Sequence, residues 1–120
     1  MLLIKTDSQL CKEIRECVEH VYEVERGCVC SKSRLRTIVR TRRMVMFIYR
    51  FYLFMGISQI GRELNRHHAS VLHGLKQFEI DMMLEPDTEL NLRTILEEKD
   101  LMNHKTSLIN QTYDQWIKEQ

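Results

Sequence analysis

The stretch ISQIGRELNRHHASVLHGLKQFEIDMM, residues 57–83, holds two apolar periodicities separated by a polar turn. Ile57, Ile60 and Leu64 recur at helical spacing and predict a short helix over about 59–64, with Ser58 as a fitting N-cap. Asn65 tolerates positive φ, so it serves as the turn residue. A second helix is expected from near His67 to about Met83. Val71, Leu75, Phe78 and Met82 then fall on one stripe, and Ala69, His73 and Lys76 point the opposite way. A short helix, a three- or four-residue turn and a longer helix make a helix-turn-helix. Gly61 lets two backbones approach closely where the helices cross.

Upstream, the pattern predicts a long helix from about Arg36 to Phe54, capped by Ser33 or Thr37. Its C-terminal half is apolar nearly all round, as a central buried helix would be. Tyr49 and Tyr52 belong to that packing. Arg36, Arg40, Arg43 and Arg50 lie at i, i+4, i+7 and i+14 and form one stripe. Within it, Arg50 is expected to pair with an acid of the first helix. Gly56 supplies the left-handed break. The first helix covers about 7–24, capped by Asp7 or Ser8, with Leu10, Ile14, Cys17, Val18 and Val21 inward and Gly27 as its stop. CVCSKS (28–33) reads as a connector. Downstream, Pro86 breaks the chain, and Asp87 or Thr88 caps a fifth helix over about 88–101. Residues 106–118 carry Leu108, Ile109, Thr112, Tyr113, Trp116 and Ile117 on one side, as a last helix would; Trp116 is expected in the core. The expected architecture is all-α, five or six helices, with the helix-turn-helix packed on the long central helix.

A chain of 120 residues is one domain, with or without an extension. The net charge of +1 conceals a strong segregation. Residues 26–66 hold ten basic side chains (Arg26, Lys32, Arg34, Arg36, Arg40, Arg42, Arg43, Arg50, Arg62 and Arg66) and a single acid, Glu63. The flanks, 1–25 and 67–120, are net acidic. A solvated charged face interleaves both signs; a segregated basic block is the footprint of a polyanion binder.

Other chemistries fit poorly. The most apolar run, MVMFIYRFYLFM (44–55), is too short for a bilayer span and carries Arg50, so no membrane role is expected. No secretory signal is visible, and a cytoplasmic location follows. Cys11, Cys17, Cys28 and Cys30 lack zinc-knuckle spacing and read as reduced, small hydrophobes. His68 and His73 are five apart, which is not the spacing of a helical zinc pair, and adjacent His67 and His68 cannot face one ion from a regular helix. No metal, no cofactor and no enzymatic activity are expected.

The run SKSRLRTIVRTRRMVM (31–46), followed by ISQIGRELNR (57–66) and VLHGLK (71–76), resembles the C-terminal DNA-binding domain, domain IV, of the bacterial chromosomal replication initiator family DnaA. The resemblance covers about residues 10–98. It implies a TrpR-like all-α fold that binds a short, A·T-rich duplex box. It implies that the basic loop places Arg34 in the minor groove with Arg36 nearby, and that Arg40 and Arg42 contact the DNA backbone. The family's signature at the head of its recognition helix reads Arg-Asp-His-Thr-Thr-Val; here it reads Arg66-His67-His68-Ala69-Ser70-Val71. His68 is kept. His67 stands for an Asp, which can accept from a cytosine amino group, and Ala69 keeps only the methyl of a Thr. The loop ERGCVCSKS (25–33) is shorter than the family's, which holds a small extra helix. No G-x-x-x-x-G-K-[ST] is present, so this chain is expected to act as a binding domain without nucleotide.

The expectation is therefore sequence-selective binding of double-stranded DNA, in replication-origin or transcription control. Arg34, His67, His68, Ala69 and Ser70 read bases. Lys32, Arg36, Arg40, Arg42, Arg43, Ser58, Arg66, His73 and Lys76 hold the backbone, the helix starts at Ser58 and His67 adding N–H groups for phosphates. Residues 1–102 form the DNA-binding domain, and 103–120 a helical extension that offers a surface for a homodimer or a protein partner. The alternative is a protein-interaction module.

Overall fold

Helix α2, Arg36–Phe51, is buried along most of its length, and the elements other than the last helix pack round it. The computed structural model describes residues 7–101. Among them α1 (Asp7–Val21) is followed by a 3-10 turn at Cys28–Cys30, α2, α3 (Ile57–Leu64), α4 (His68–Leu84) and α5 (Pro86–Glu98). No strand occurs among the described residues, and the all-α reading holds. The expected helix over 106–118, Trp116 with it, and the extension 103–120 lie outside the described residues.

The core follows the periodicities. Ile14, Cys17 and Val18 of α1, Met44 to Tyr49 and Phe51 of α2, Ile60 and Leu64 of α3, Val71, Leu75 and Phe78 of α4, and Ile95 and Leu96 of α5 are buried together. Phe47 stacks on Phe78 with centroids 4.5 Å apart, joining α2 to α4. Gly74 allows that approach: a Cβ there would lie 2.5 Å from Met46 Sδ. Tyr49 is fully buried. Its hydroxyl donates to the Cys11 carbonyl at 2.7 Å and accepts from Arg15 at 3.2 Å. Arg15 also meets Glu63 at 3.0 Å, so one network ties α1, α2 and α3.

Asn65 ends α3 as expected, but two other helix ends depart from expectation, each where a non-glycine residue takes the left-handed region. α1 stops at Val21, three residues early, with Glu23 at φ 56°; Gly27, at φ 88°, opens the 3-10 turn instead. α2 ends at Phe51, and Phe54 (φ 56°) takes the position assigned to Gly56, which is extended at φ −72°, ψ 157°. Arg50 braces this turn by donating to the Met55 carbonyl at 3.0 Å; among the described side chains it pairs with no acid of α1. Gly56 is also the N-cap of α3, so Ser58 sits inside the first turn and does not cap it. Leu35, without a capping side chain, precedes α2, in place of Ser33 or Thr37. Pro86 is the first residue of α5, where its missing N–H has no helical partner to lose, and Glu85 precedes it as N-cap.

Candidate nucleic-acid interface

The turn between α3 and α4 is tight because of two residues. Asn65 adopts φ 56°, ψ 48°, the left-handed region its short side chain tolerates. Gly61 accepts at its carbonyl from the Arg66 N–H at 2.7 Å, and a Cβ on it would stand 2.5 Å from the Arg66 carbonyl oxygen. The close approach is therefore between α3 and the turn. α4 then starts at His68. His67 is its N-cap, at φ −68°, ψ 147°, and its Nδ1 accepts from the Ala69 N–H at 3.2 Å. The rings of His67 and His68 lie 4.3 Å apart. Val71, Leu75 and Phe78 face the core, while His67, His68, Ala69, Ser70, His73 and Lys76 are exposed in a row along the opposite side.

The basic loop, residues 31–35, is held from beneath. Arg42 is only 6% exposed. Its guanidinium donates to the carbonyls of Val29 (2.8 Å), Ser31 (3.0 Å) and Ser33 (3.1 Å). Burial, and then the neighbouring Arg66 charge, lower its pKa below the ordinary arginine value. Arg66 donates to the same Ser31 carbonyl and to the Asn65 carbonyl. Serine hydroxyls close the loop's own turns: Ser31 Oγ donates to the Cys28 carbonyl, and Ser33 Oγ accepts from the Leu35 N–H. On the α1 side, buried Glu19 accepts from the N–H groups of Gly27 (2.9 Å) and Val29 (3.1 Å). Lys32, Arg34 and Arg36 project from this frame into solvent.

The arginine stripe is partly answered from within. Glu85 meets both Arg36 and Arg40, and Asp81 takes Arg43 through both carboxylate oxygens at 3.2 Å. Lys32, Arg34, Arg62 and Lys76 pair with no carboxylate among the described residues. A cleft lined by Lys32, Arg34, Arg43, Arg66, Ser70 and His73 joins the loop to the head of α4. The sequence-predicted residues thus divide. Lys32, Arg34, Arg36, Ser58, His67, His68, Ala69, Ser70, His73 and Lys76 are exposed; Arg40, Arg43 and Arg66 are half-buried; Arg42 is buried under the loop. Sequence reasoning missed Glu19, Asp81 and Glu85. Asp81 in the last turn of α4 and Glu85, which follows that helix as its C-cap, stand at four-residue spacing opposite the stripe, a signal that only the packing of α4 on α2 makes legible.

The cysteines are free thiols. Burial, then the hydrogen bond to Glu98 at 2.9 Å, push the Cys17 pKa up to about 12, so it stays a neutral thiol near pH 7. Among the described residues no group of His, Cys, Asp or Glu side chains gathers as a metal site, and no helix is long and apolar enough to cross a membrane.

A short helix, a left-handed turn, a capped second helix and a basic loop fastened to that turn define a helix-turn-helix domain. The chain belongs to the bacterial dnaA protein helix-turn-helix family, whose model matches residues 11–77. It is 31% identical over 87 residues to the chromosomal replication initiator protein DnaA of Bacteroides fragilis, covering 68% of this chain and 18% of that protein. With the protein of the same name from Porphyromonas gingivalis it shares 38% over 64 residues, 52% of this chain and 14% of the other. With that of Rickettsia bellii it shares 28% over 93 residues, 77% and 20% respectively. The chain thus spans a fifth or less of the length of these relatives.

Proposed function

We propose that the protein binds double-stranded DNA sequence-selectively, in the cytoplasm, in replication-origin or transcription control. Helix α4 enters the major groove, and loop 31–35 enters the adjacent, A·T-rich minor groove. The supporting observation is the Ser31 carbonyl, which accepts from both Arg42 and Arg66 and so fastens the basic loop to the helix-turn-helix. Two exposed recognition surfaces then form one face. His67, His68, Ala69 and Ser70 meet base edges, the Ala69 methyl being suited to a thymine methyl. Arg34 enters the minor groove, where narrow A·T tracts concentrate negative potential. Lys32, Arg36, Ser58, His73 and Lys76 hold phosphates, with Arg40 and Arg43 joining as their acid partners yield. Arg42 and Arg66 act from behind, by positioning the loop.

Selection of bound duplexes from a random pool tests the reading: a defined A·T-containing site should emerge. Its binding should weaken steeply with salt, and Arg34→Ala should flatten the log–log salt slope by about one unit with the melting temperature unchanged. Salt-insensitive binding, or failure to recover any duplex, rejects it.

One observation favours a second role, self-association. Ile80, Met83 and Leu84 in the C-terminal part of α4 and Leu90 of α5 are exposed large hydrophobic side chains, away from the head of α4. Light scattering with and without residues 103–120 checks it; a monomer mass in both cases removes it.

A further inference from the structure

His67 does two things at once, and the first dictates the second. Its Nδ1 accepts the Ala69 N–H at 3.2 Å, as a helix cap must. A ring nitrogen that accepts carries no proton, so the proton of the neutral imidazole lies on Nε2. The ring is exposed, and its neighbour His68 lies 4.3 Å away at 33°. The outward edge of His67 is therefore a single N–H donor at the first turn of the recognition helix, where base edges are read.

We infer that His67 selects a base presenting acceptors in the major groove, guanine above all, at the position it faces. Guanine offers O6 and N7 side by side; cytosine offers its N4 amino donor, which would meet the Nε2–H head-on. A carboxylate at this position also caps the helix but presents an acceptor outward, and so favours the opposite base. The inference rests on the DNA-binding reading and adds to it the base-edge chemistry of one residue.

Two near-isosteric variants separate capping from reading. Asn caps through Oδ1 and turns an NH₂ donor outward; Asp caps and turns an acceptor outward. Both should melt close to wild type. The duplex recovered for wild type is varied through all four base pairs at every position, and binding is measured by fluorescence anisotropy. At one position wild type and His67→Asn should favour guanine over cytosine on the contacted strand by about tenfold. His67→Asp should reverse that order at the same position and leave the other positions unaltered. Two results overturn the inference while leaving DNA binding intact: all three proteins sharing one profile, or wild type and His67→Asp both favouring cytosine. Failure of wild type to bind any duplex removes the DNA-binding reading first, and the inference with it.

Discussion

Arg42→Ala should lower the melting temperature by more than about 10 °C and weaken DNA binding at least tenfold. The side chain is a single buried guanidinium serving three carbonyls, those of Val29, Ser31 and Ser33. Hydrogen bonds from a charged donor contribute about 1.5–3 kcal/mol each and are not additive, and a buried carbonyl left without a partner costs a further 1–3 kcal/mol. Against this stands the relief of desolvation, which is why the guanidinium's pKa is depressed. A net loss of about 3 kcal/mol is expected, and in a domain of this size each kcal/mol moves the midpoint by roughly 4–8 °C. Binding falls separately, because a loop that must be ordered on contact loses the advantage of preorganisation. Arg42→Lys should not rescue, since one ammonium cannot span three acceptors in the guanidinium's plane. Thermal melts followed by circular dichroism, with binding measured well below both midpoints, check this. A shift under 2 °C with unchanged affinity would mean that the loop holds itself.

The second large effect belongs to Gly61. In most exposed helix positions Gly→Ala stabilises by nearly 1 kcal/mol through backbone propensity. At Gly61 the added methyl would stand 2.5 Å from the Arg66 carbonyl oxygen, which is backbone and cannot rotate away. The turn must open, and with it the 2.7 Å bond from the Arg66 N–H to the Gly61 carbonyl. Overpacking of this kind costs about 1–3 kcal/mol, and the lost bond adds to it, so Gly61→Ala should destabilise by about 2 kcal/mol net. Because Arg66 reaches from the turn to the basic loop, DNA affinity should fall by more than stability alone predicts. Two other glycines calibrate the result. Gly74→Ala meets the Met46 thioether too closely, but that is a flexible side-chain group, with Arg43 Cγ at ordinary contact, and the effect should be milder. Gly56→Ala has open space and a φ any residue adopts, and should be neutral or mildly stabilising. Equal melting temperatures for all three variants would contradict the geometry.

These effects mark the boundary of what the chain discloses before it folds. Val71, Leu75 and Phe78, or Ile14, Cys17 and Val18, announce their buried faces through periodicity alone, because a helix repeats its environment every 3.6 residues. The helix-turn-helix and the charge segregation were legible for the same local reason. The ends of α1 and α2 were not: Glu23 and Phe54 occupy left-handed positions although glycines, Gly27 and Gly56, lie within four residues. The surrounding packing outweighs the small local preference that would place the break at glycine. The burial of Arg42 was not legible, for a related reason. In the sequence it is one arginine among several, and only the return of residues 29–33 over α2 turns it from a surface charge into the support of a loop. Asp81 and Glu85 counted as part of an acidic flank until α4 was laid along α2 beside Arg36, Arg40 and Arg43.

The shared Ser31 carbonyl has a consequence for the DNA as well as for the protein. With Arg42 and Arg66 both donating to it, the loop and the helix head are tied through one carbonyl, and in the proposed mode the domain would act as a caliper with a set gap. In the proposed mode the two jaws rest in neighbouring grooves. One base pair inserted between the two contacted segments rotates them relative to each other by about a tenth of a helical turn and separates them by roughly 3.4 Å. A flexible tether would absorb that displacement. A set gap would not, so in the proposed mode an inserted base pair between the two segments should weaken binding as a changed base does.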